Sequence, residues 1–267
     1  MKDDRFFERI CRKTIVTGHY GSGKTEFSVS LALILAENDI YNRHALIDLD
    51  IANPYFRSRE QREFLKSAGI EIFGSAFETE STAELPALGA KLRAPLENNA
   101  YRVIVDTGGN DTGALVLNQF SKYFKSDKAD EKSDSKNDYE NDNKAGSENN
   151  DKNDNKTDDD TTIIAVVNAN RPDTGDIDSA LFHIRSIEQI TGLTVTDIVS
   201  NTHLLRETTA DDIIEGYEFC KKICAATGKR LLCSCYPKEL VDPSKLTAIT
   251  ETILPLGLYM RPTWLDR

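Results

Sequence analysis

The sequence predicts a three-layer α/β domain: a mostly parallel sheet with helices on both faces. Three observations predict it. Short apolar, β-rich runs alternate with helical patterns along nearly the whole chain. Most of those runs are apolar on both faces, as strands covered from both sides are. A glycine-rich loop, "GHYGSGKT" at positions 18–25, stands between the first such run and the first helical pattern.

The elements follow in order. Thr14 to Thr17 is a short β-rich run ending at Gly18, and Phe27, Leu31, Ile34 and Leu35 then recur at helical spacing. "HALIDLD" (His44 to Asp50) is expected as the second strand, with a helix at Ser58 to Ser67. "IEIFG" (Ile70 to Gly74) is the third strand and "YRVIVD" (Tyr101 to Asp106) the fourth, followed by a helix over Thr112 to Phe124. "TTIIAVVN" (Thr161 to Asn168), a helix at Ile177 to Ile190, "VTDIVSN" (Val195 to Asn201) and a helix at Thr209 to Thr227 come next. "KRLLCSC" (Lys229 to Cys235) is expected as the seventh strand and Pro243 to Leu254 as a last helix. Such alternation implies right-handed crossovers and ligands at the carboxyl ends of the strands.

The 267 residues are read as one domain, interrupted at 126–160 by an acidic insertion. That segment holds 13 Asp/Glu and 6 Lys, so it carries −7 of the formal −11 and leaves −4 for the rest. It has no Val, Ile, Leu, Met, Phe, Trp or Cys, cannot bury enough apolar surface to offset its ordering entropy, and is expected to be disordered. The folded part lacks the basic footprint of direct nucleic-acid binding. No run approaches the length of a membrane span. The charged start and the odd count of five cysteines point to a reducing cytoplasm.

Gly18-His19-Tyr20-Gly21-Ser22-Gly23-Lys24-Thr25 matches the phosphate-loop pattern G-x-x-x-x-G-K-[ST] at every fixed position. Glycines let backbone N–H groups turn inward as an anion nest, and the following helix N-terminus adds positive potential. Lys24 can reach the β- and γ-phosphates, and the Thr25 hydroxyl can ligate Mg²⁺.

Such a loop needs carboxylates to organise the metal and the water. Asp106 ends a strand and opens Asp106-Thr107-Gly108-Gly109, a D-x-x-G pattern whose last N–H suits sensing of a γ-phosphate. Asp48 and Asp50 lie two residues apart at a strand end, so both side chains leave on one face, where they can hold metal-bound water and position an attacking water. Asn53-Pro54 then enforces an extended or turn conformation.

With the phosphate loop, "IDLDIANPYF" and "VIVDTGGND" in place, the chain resembles the MinD/ParA/CooC-type ATPases, relatives of the nitrogenase iron protein in the SIMIBI class of P-loop NTPases. The likeness continues by position through "VVNANRPDT", "IVSNTHL" and "CSCYPKELV". It implies a seven-stranded parallel sheet ordered 3-2-4-1-5-6-7 and slow Mg-ATP hydrolysis coupled to a protein partner, with nucleotide-dependent dimerisation. It implies that Lys24 and Asp50 are catalytic, Asp50 by positioning water, and that Thr25, Asp48 and Asp106 serve Mg²⁺. The implied nucleotide contacts are Gly18, His19, Tyr20, Gly21, Ser22, Gly23, Lys24, Thr25 and Glu26, with Gly109, Asn201 as the adenine-reading residue and Pro237 closing over the base. The chain departs from the family at His19, where many members carry a lysine that reaches across the dimer, and at Tyr20, often glycine.

Cys233 and Cys235 alternate with Leu231 and are expected on one face, as buried strand cysteines or a soft-metal pair. Pro255, Gly257 and Pro262 prevent a long amphipathic helix near Trp264. Two other functions stay open at this point. One is a small-molecule kinase or ligase on the same loop, for which Arg57, Arg59 and Arg62 are the nearest candidates for a phosphate clamp. The other is a regulatory module that binds nucleotide without turnover.

Overall fold

The computed structural model describes residues 4–38, 41–50, 62–74, 92–125 and 161–259. Asn53-Pro54, Arg57, Arg59, the acidic insertion and Trp264 lie outside the described residues.

A parallel sheet of eight strands forms the centre, in the order β3-β2-β4-β1-β5-β6-β7-β8. The strands are β1 (Lys13–Thr17), β2 (Arg43–Asp48), β3 (Ile70–Gly74), β4 (Tyr101–Asp106), β5 (Thr161–Val167), β6 (Asp197–Ser200), β7 (Arg230–Pro237) and β8 (Ile253–Leu256). The labelled helices are α1 (Asp4–Glu8), α2 (Lys24–Asn38), α3 (Arg62–Ser67), α4 (Asp111–Asn118), α5 (Ile177–Thr191) and α6 (Ala210–Thr227), and residues 92–97 are helical as well.

Alternation along the strands divides the core between the two faces. Val16, Leu46, Ile104, Ile164 and Val166 pack with Phe6 of α1, Phe27 and Leu31 of α2, and Leu65 of α3. Ile15, Ile47, Val103, Val105 and Ile163 pack with Leu117 of α4, Ile184 of α5 and Tyr217 of α6. α5 and α6 start on Asp176 and Thr209, whose side chains accept backbone N–H bonds, and both stop at left-handed glycines, Gly192 and Gly228.

Three expectations are corrected. The sheet has eight strands where seven were expected, because Pro243 to Leu254 is not a helix. A single 3₁₀ turn spans Pro243–Lys245, and Ile253–Leu256 pairs with β7 as an edge strand. Thr247, Ile249, Thr250, Thr252 and Ile253 are β-branched and lose rotamer freedom in a helix. Pro255 is tolerated because an edge strand does not need every N–H.

Leu231 does not share a face with Cys233 and Cys235. The β6–β7 register shifts between Ile198, opposite Leu231, and Val199, opposite Cys233. The extra residue, Leu232, breaks the two-residue alternation. Leu231 therefore joins the α4–α6 side and both cysteines the α1–α3 side. The two thiols are buried, and burial with the neighbouring Cys233 pushes the Cys235 thiol well up, so it stays protonated. The structure also contains α1, which no sequence pattern announced.

Candidate functional site

The phosphate loop runs from the end of β1 into α2, at the carboxyl edge of the sheet. Gly23 has φ +78°, and a Cβ there would lie 2.3 Å from Asn201 Nδ2, so only glycine fits. Lys24 opens α2 and is buried, with its Nζ 3.7 Å from Asp50 Oδ2. His19 and Tyr20 part company. Tyr20 is 60% exposed, whereas the His19 ring packs edge-on against His183 of α5 and lies 3.6 Å from Asp173 Oδ2.

The carboxylates converge because strand register brings them together. Asp48 of β2 pairs with Asp106 of β4. By alternation both side chains leave toward α2, as Leu46 and Ile104 do two residues earlier. Asp48 Oδ1 accepts the Asp50 N–H at 3.1 Å. Asp106 Oδ1 accepts from the Ser28 hydroxyl of α2 at 3.2 Å. Asp106 Oδ2 is buried without a hydrogen-bond partner. Gly109 lies against the Gly18–Tyr20 backbone, which places the D-x-x-G turn beside the phosphate loop.

Burial pushes the Asp106 carboxyl up to about 7; Lys24 opposes this, while Asp48 and Asp50 add to it. A raised carboxyl contributes stability that is full below the ordinary value near 4 and is lost as pH rises through about 7. His183 and His203 act oppositely. Desolvation lowers both to about 4, so their contribution is present above about 6.5 and lost as pH falls through 4. Over pH 6 to 8 these trends oppose each other, so a variant that removes the carboxyl is needed to isolate it. Compared with Asp106→Asn, nucleotide-free wild type should lose more stability between pH 6 and 8, on the order of 1 kcal/mol. Chemical denaturation at the two pH values measures this; parallel profiles would show that the Asp106 carboxyl is not perturbed.

The remaining candidates separate. Asn201 follows β6 and its amide donates to Ser22 O at 2.8 Å, on the loop itself. Glu26 points elsewhere: its carboxylate accepts the backbone N–H of Tyr259 at 2.8 Å and ties α2 to the segment after β8. Pro237 is the last residue of β7. Arg62 opens α3.

Four residues reach the loop without a sequence signal of their own. Arg171 Nε donates to Gly21 O at 3.0 Å, and Asn168, just after β5, donates to the same oxygen at 3.4 Å. His203 Nε2 packs on Gly23, and His183 carries a buried, unpartnered Nε2 beside His19. Asn168 and Arg171 lie within "VVNANRPDT" and His203 within "IVSNTHL", where the likeness gave them no role; His183 had only a place in a helical pattern.

Among the described residues, no group of three or more His, Cys, Asp or Glu can hold a metal ion unaided. A divalent cation nevertheless fits beside Asp106, whose orphaned oxygen and crowding carboxylates call for positive charge. Mg²⁺ is commonly held by one or two carboxylates with substrate phosphates supplying further ligands, which matches a site that lacks a full protein cage. No helix among the described residues is long and apolar enough to cross a membrane.

An all-parallel α/β sheet with this loop between β1 and α2 is consistent with a P-loop NTPase. No family model matches the sequence, and no curated protein matches it. Two crystal structures of FtsY from Mycoplasma mycoides are similar to it, at 14% identity with TM-scores of 0.45 and 0.44. The matches cover 82% and 84% of this chain and 58% and 59% of theirs. The signal recognition particle receptor FtsY from Elizabethkingia anophelis in complex with GDP matches at 16% identity and TM-score 0.38, over 70% of this chain and 48% of that one. The chain thus spans about half to three-fifths of the length of these proteins.

Proposed function

We propose that the chain binds Mg-ATP through the Gly18–Thr25 loop and hydrolyses it slowly, as a conformational switch acting on a protein partner. The observation that carries this reading is the meeting of Lys24, Asp48, Asp50 and Asp106 at the first turn of α2. A phosphate nest with one buried ammonium and three carboxylates supplies what phosphoryl transfer to water needs: charge neutralisation, metal support and an oriented nucleophile. Thr25 and Asp106 would hold Mg²⁺, with Asp48 behind them, and the metal would neutralise charge on the β- and γ-phosphate oxygens.

Lys24 would share its charge between Asp50 and the incoming phosphates. Asp50, buried beside it, would then be placed to orient a water molecule. Gly109, against the loop backbone, would pass the presence of a γ-phosphate to α4 through the tight Gly108–Gly113 contact. ATP is preferred to GTP in this reading because no carboxylate stands at positions 202–204, after β6, to accept the guanine N–H edge.

The MinD/ParA/CooC-type likeness and its nucleotide-dependent homodimer belong to the same proposal. Tyr20, next to His19 in the loop and 60% exposed, offers an apolar contact to a second copy. A reducing cytoplasmic setting suits five free cysteines.

The test is calorimetric titration with Mg-ATP and Mg-GTP, followed by phosphate-release assays without any added acceptor. ATP binding that exceeds GTP binding, with slow release of phosphate, is the expected result. ADP formation only when a small acceptor is added would make the chain a kinase or ligase, and binding without turnover a regulatory module.

A further inference from the structure

We infer that Asn168, Arg171 and Asn201 are positioning residues of the phosphate nest, holding its outward carbonyls so that the loop is shaped before a polyphosphate arrives. In consequence, Asn201 contributes to nucleotide affinity through the phosphates and not through the base. This rests on the proposal that the loop binds a polyphosphate.

The argument begins with the peptide plane. In a trans peptide the C=O and the following N–H point in opposite directions. Asn201 Nδ2 holds Ser22 O at 2.8 Å, from outside the loop. That bond turns the Gly23 N–H the other way, toward the concave side where phosphate oxygens are held. Arg171 Nε and Asn168 Nδ2 converge on Gly21 O, at 3.0 and 3.4 Å, and fix the next peptide in the same manner. The Ser22 N–H of that peptide accordingly turns inward across the loop, to His19 O at 3.0 Å.

The holders are themselves held. Asn168 is fully buried, and its Oδ1 accepts the N–H groups of Asn170 at 2.9 Å and His203 at 3.3 Å. Its backbone oxygen accepts the Thr174 hydroxyl at 2.7 Å. Asn201 is buried at 5% exposure, and its backbone N–H bonds Val167 O of β5 at 2.8 Å. The ends of β5 and β6 therefore form a rigid outer wall for the loop, and side chains anchored on rigid elements preorganise a site best. The amide group directed at Ser22 O is committed to the loop, so a base contact at that atom would break the hold on the nest.

Inorganic triphosphate separates the two roles, because it has phosphates and no base. Asn201→Ala should weaken Mg-triphosphate and Mg-ATP by the same factor, roughly five- to tenfold, the size of one net hydrogen bond. A fall for ATP alone would make Asn201 a base reader, and no fall for either would make it a bystander; both overturn the inference. Should Asn201→Ala fail to fold, the half-buried Arg171 decides. Arg171→Ala should weaken triphosphate about tenfold, while Arg171→Gln, which drops the charge and keeps an N–H donor, should retain most of the affinity. Equal losses in the two would assign Arg171 to charge alone and overturn its positioning role. Wild type that binds neither triphosphate nor ATP would instead refute the nucleotide reading on which the inference stands.

Discussion

Replacing Lys24 with methionine should lower Mg-ATP affinity at least about thirtyfold, the lower end of what truncating a buried charged partner costs. Methionine keeps the length of the side chain and removes only the ammonium, so the loss measures charge and not packing. The same change should lower the stability of the nucleotide-free protein, since Lys24 and Asp50 are both buried at about 5% exposure and stand 3.7 Å apart. Removing one member of a buried ion pair is strongly destabilising, by about 3–5 kcal/mol where geometry is good. The 3.7 Å separation places this pair toward the lower end.

The double variant Lys24→Met/Asp50→Asn separates the two effects. It should recover part of the stability, because the carboxylate nearest the lost ammonium is removed with it, but none of the affinity. Calorimetry for binding and chemical denaturation for stability are the measurements. Equal ATP affinity in wild type and Lys24→Met would end the phosphate-binding reading of the loop.

Asp50→Asn alone should behave in the opposite sense on binding. It removes the carboxylate that competes with phosphates for Lys24, so ATP affinity should hold or rise. Turnover should fall by about 10²–10⁴, the usual worth of a positioned base. Single-turnover phosphate release at saturating ATP checks this, because it reads the chemical step apart from binding. Lost binding with unchanged turnover per bound ATP would make Asp50 a structural or metal residue.

These two variants differ because each residue meets the loop from a different element. Lys24 is part of the loop motif, legible from eight consecutive residues. Asp50 follows β2 and reaches Lys24 only because β2 and β4 lie to one side of β1 in the sheet. The proximity of Asp48 and Asp50 to a strand end was legible, and so was their common direction. Their placement beside Asp106 was not, since parallel register is decided by pairing between segments more than fifty positions apart.

Local pattern alone determined the phosphate loop, the alternation of strands and helices, and the D-x-x-G turn. Glycine spacing, two-residue and helical periodicity, and strand-end carboxylates each act over a few neighbouring residues. The tertiary structure alone decided the eighth strand, the bulge that separates Leu231 from Cys233, and the diversion of Glu26 to Tyr259. It also decided that Arg171 and Asn201 grip the loop from 150 and 179 positions away. Those outcomes depend on which long-range partner each backbone oxygen or carboxylate finds after the sheet has closed, and no short stretch of sequence carries that choice.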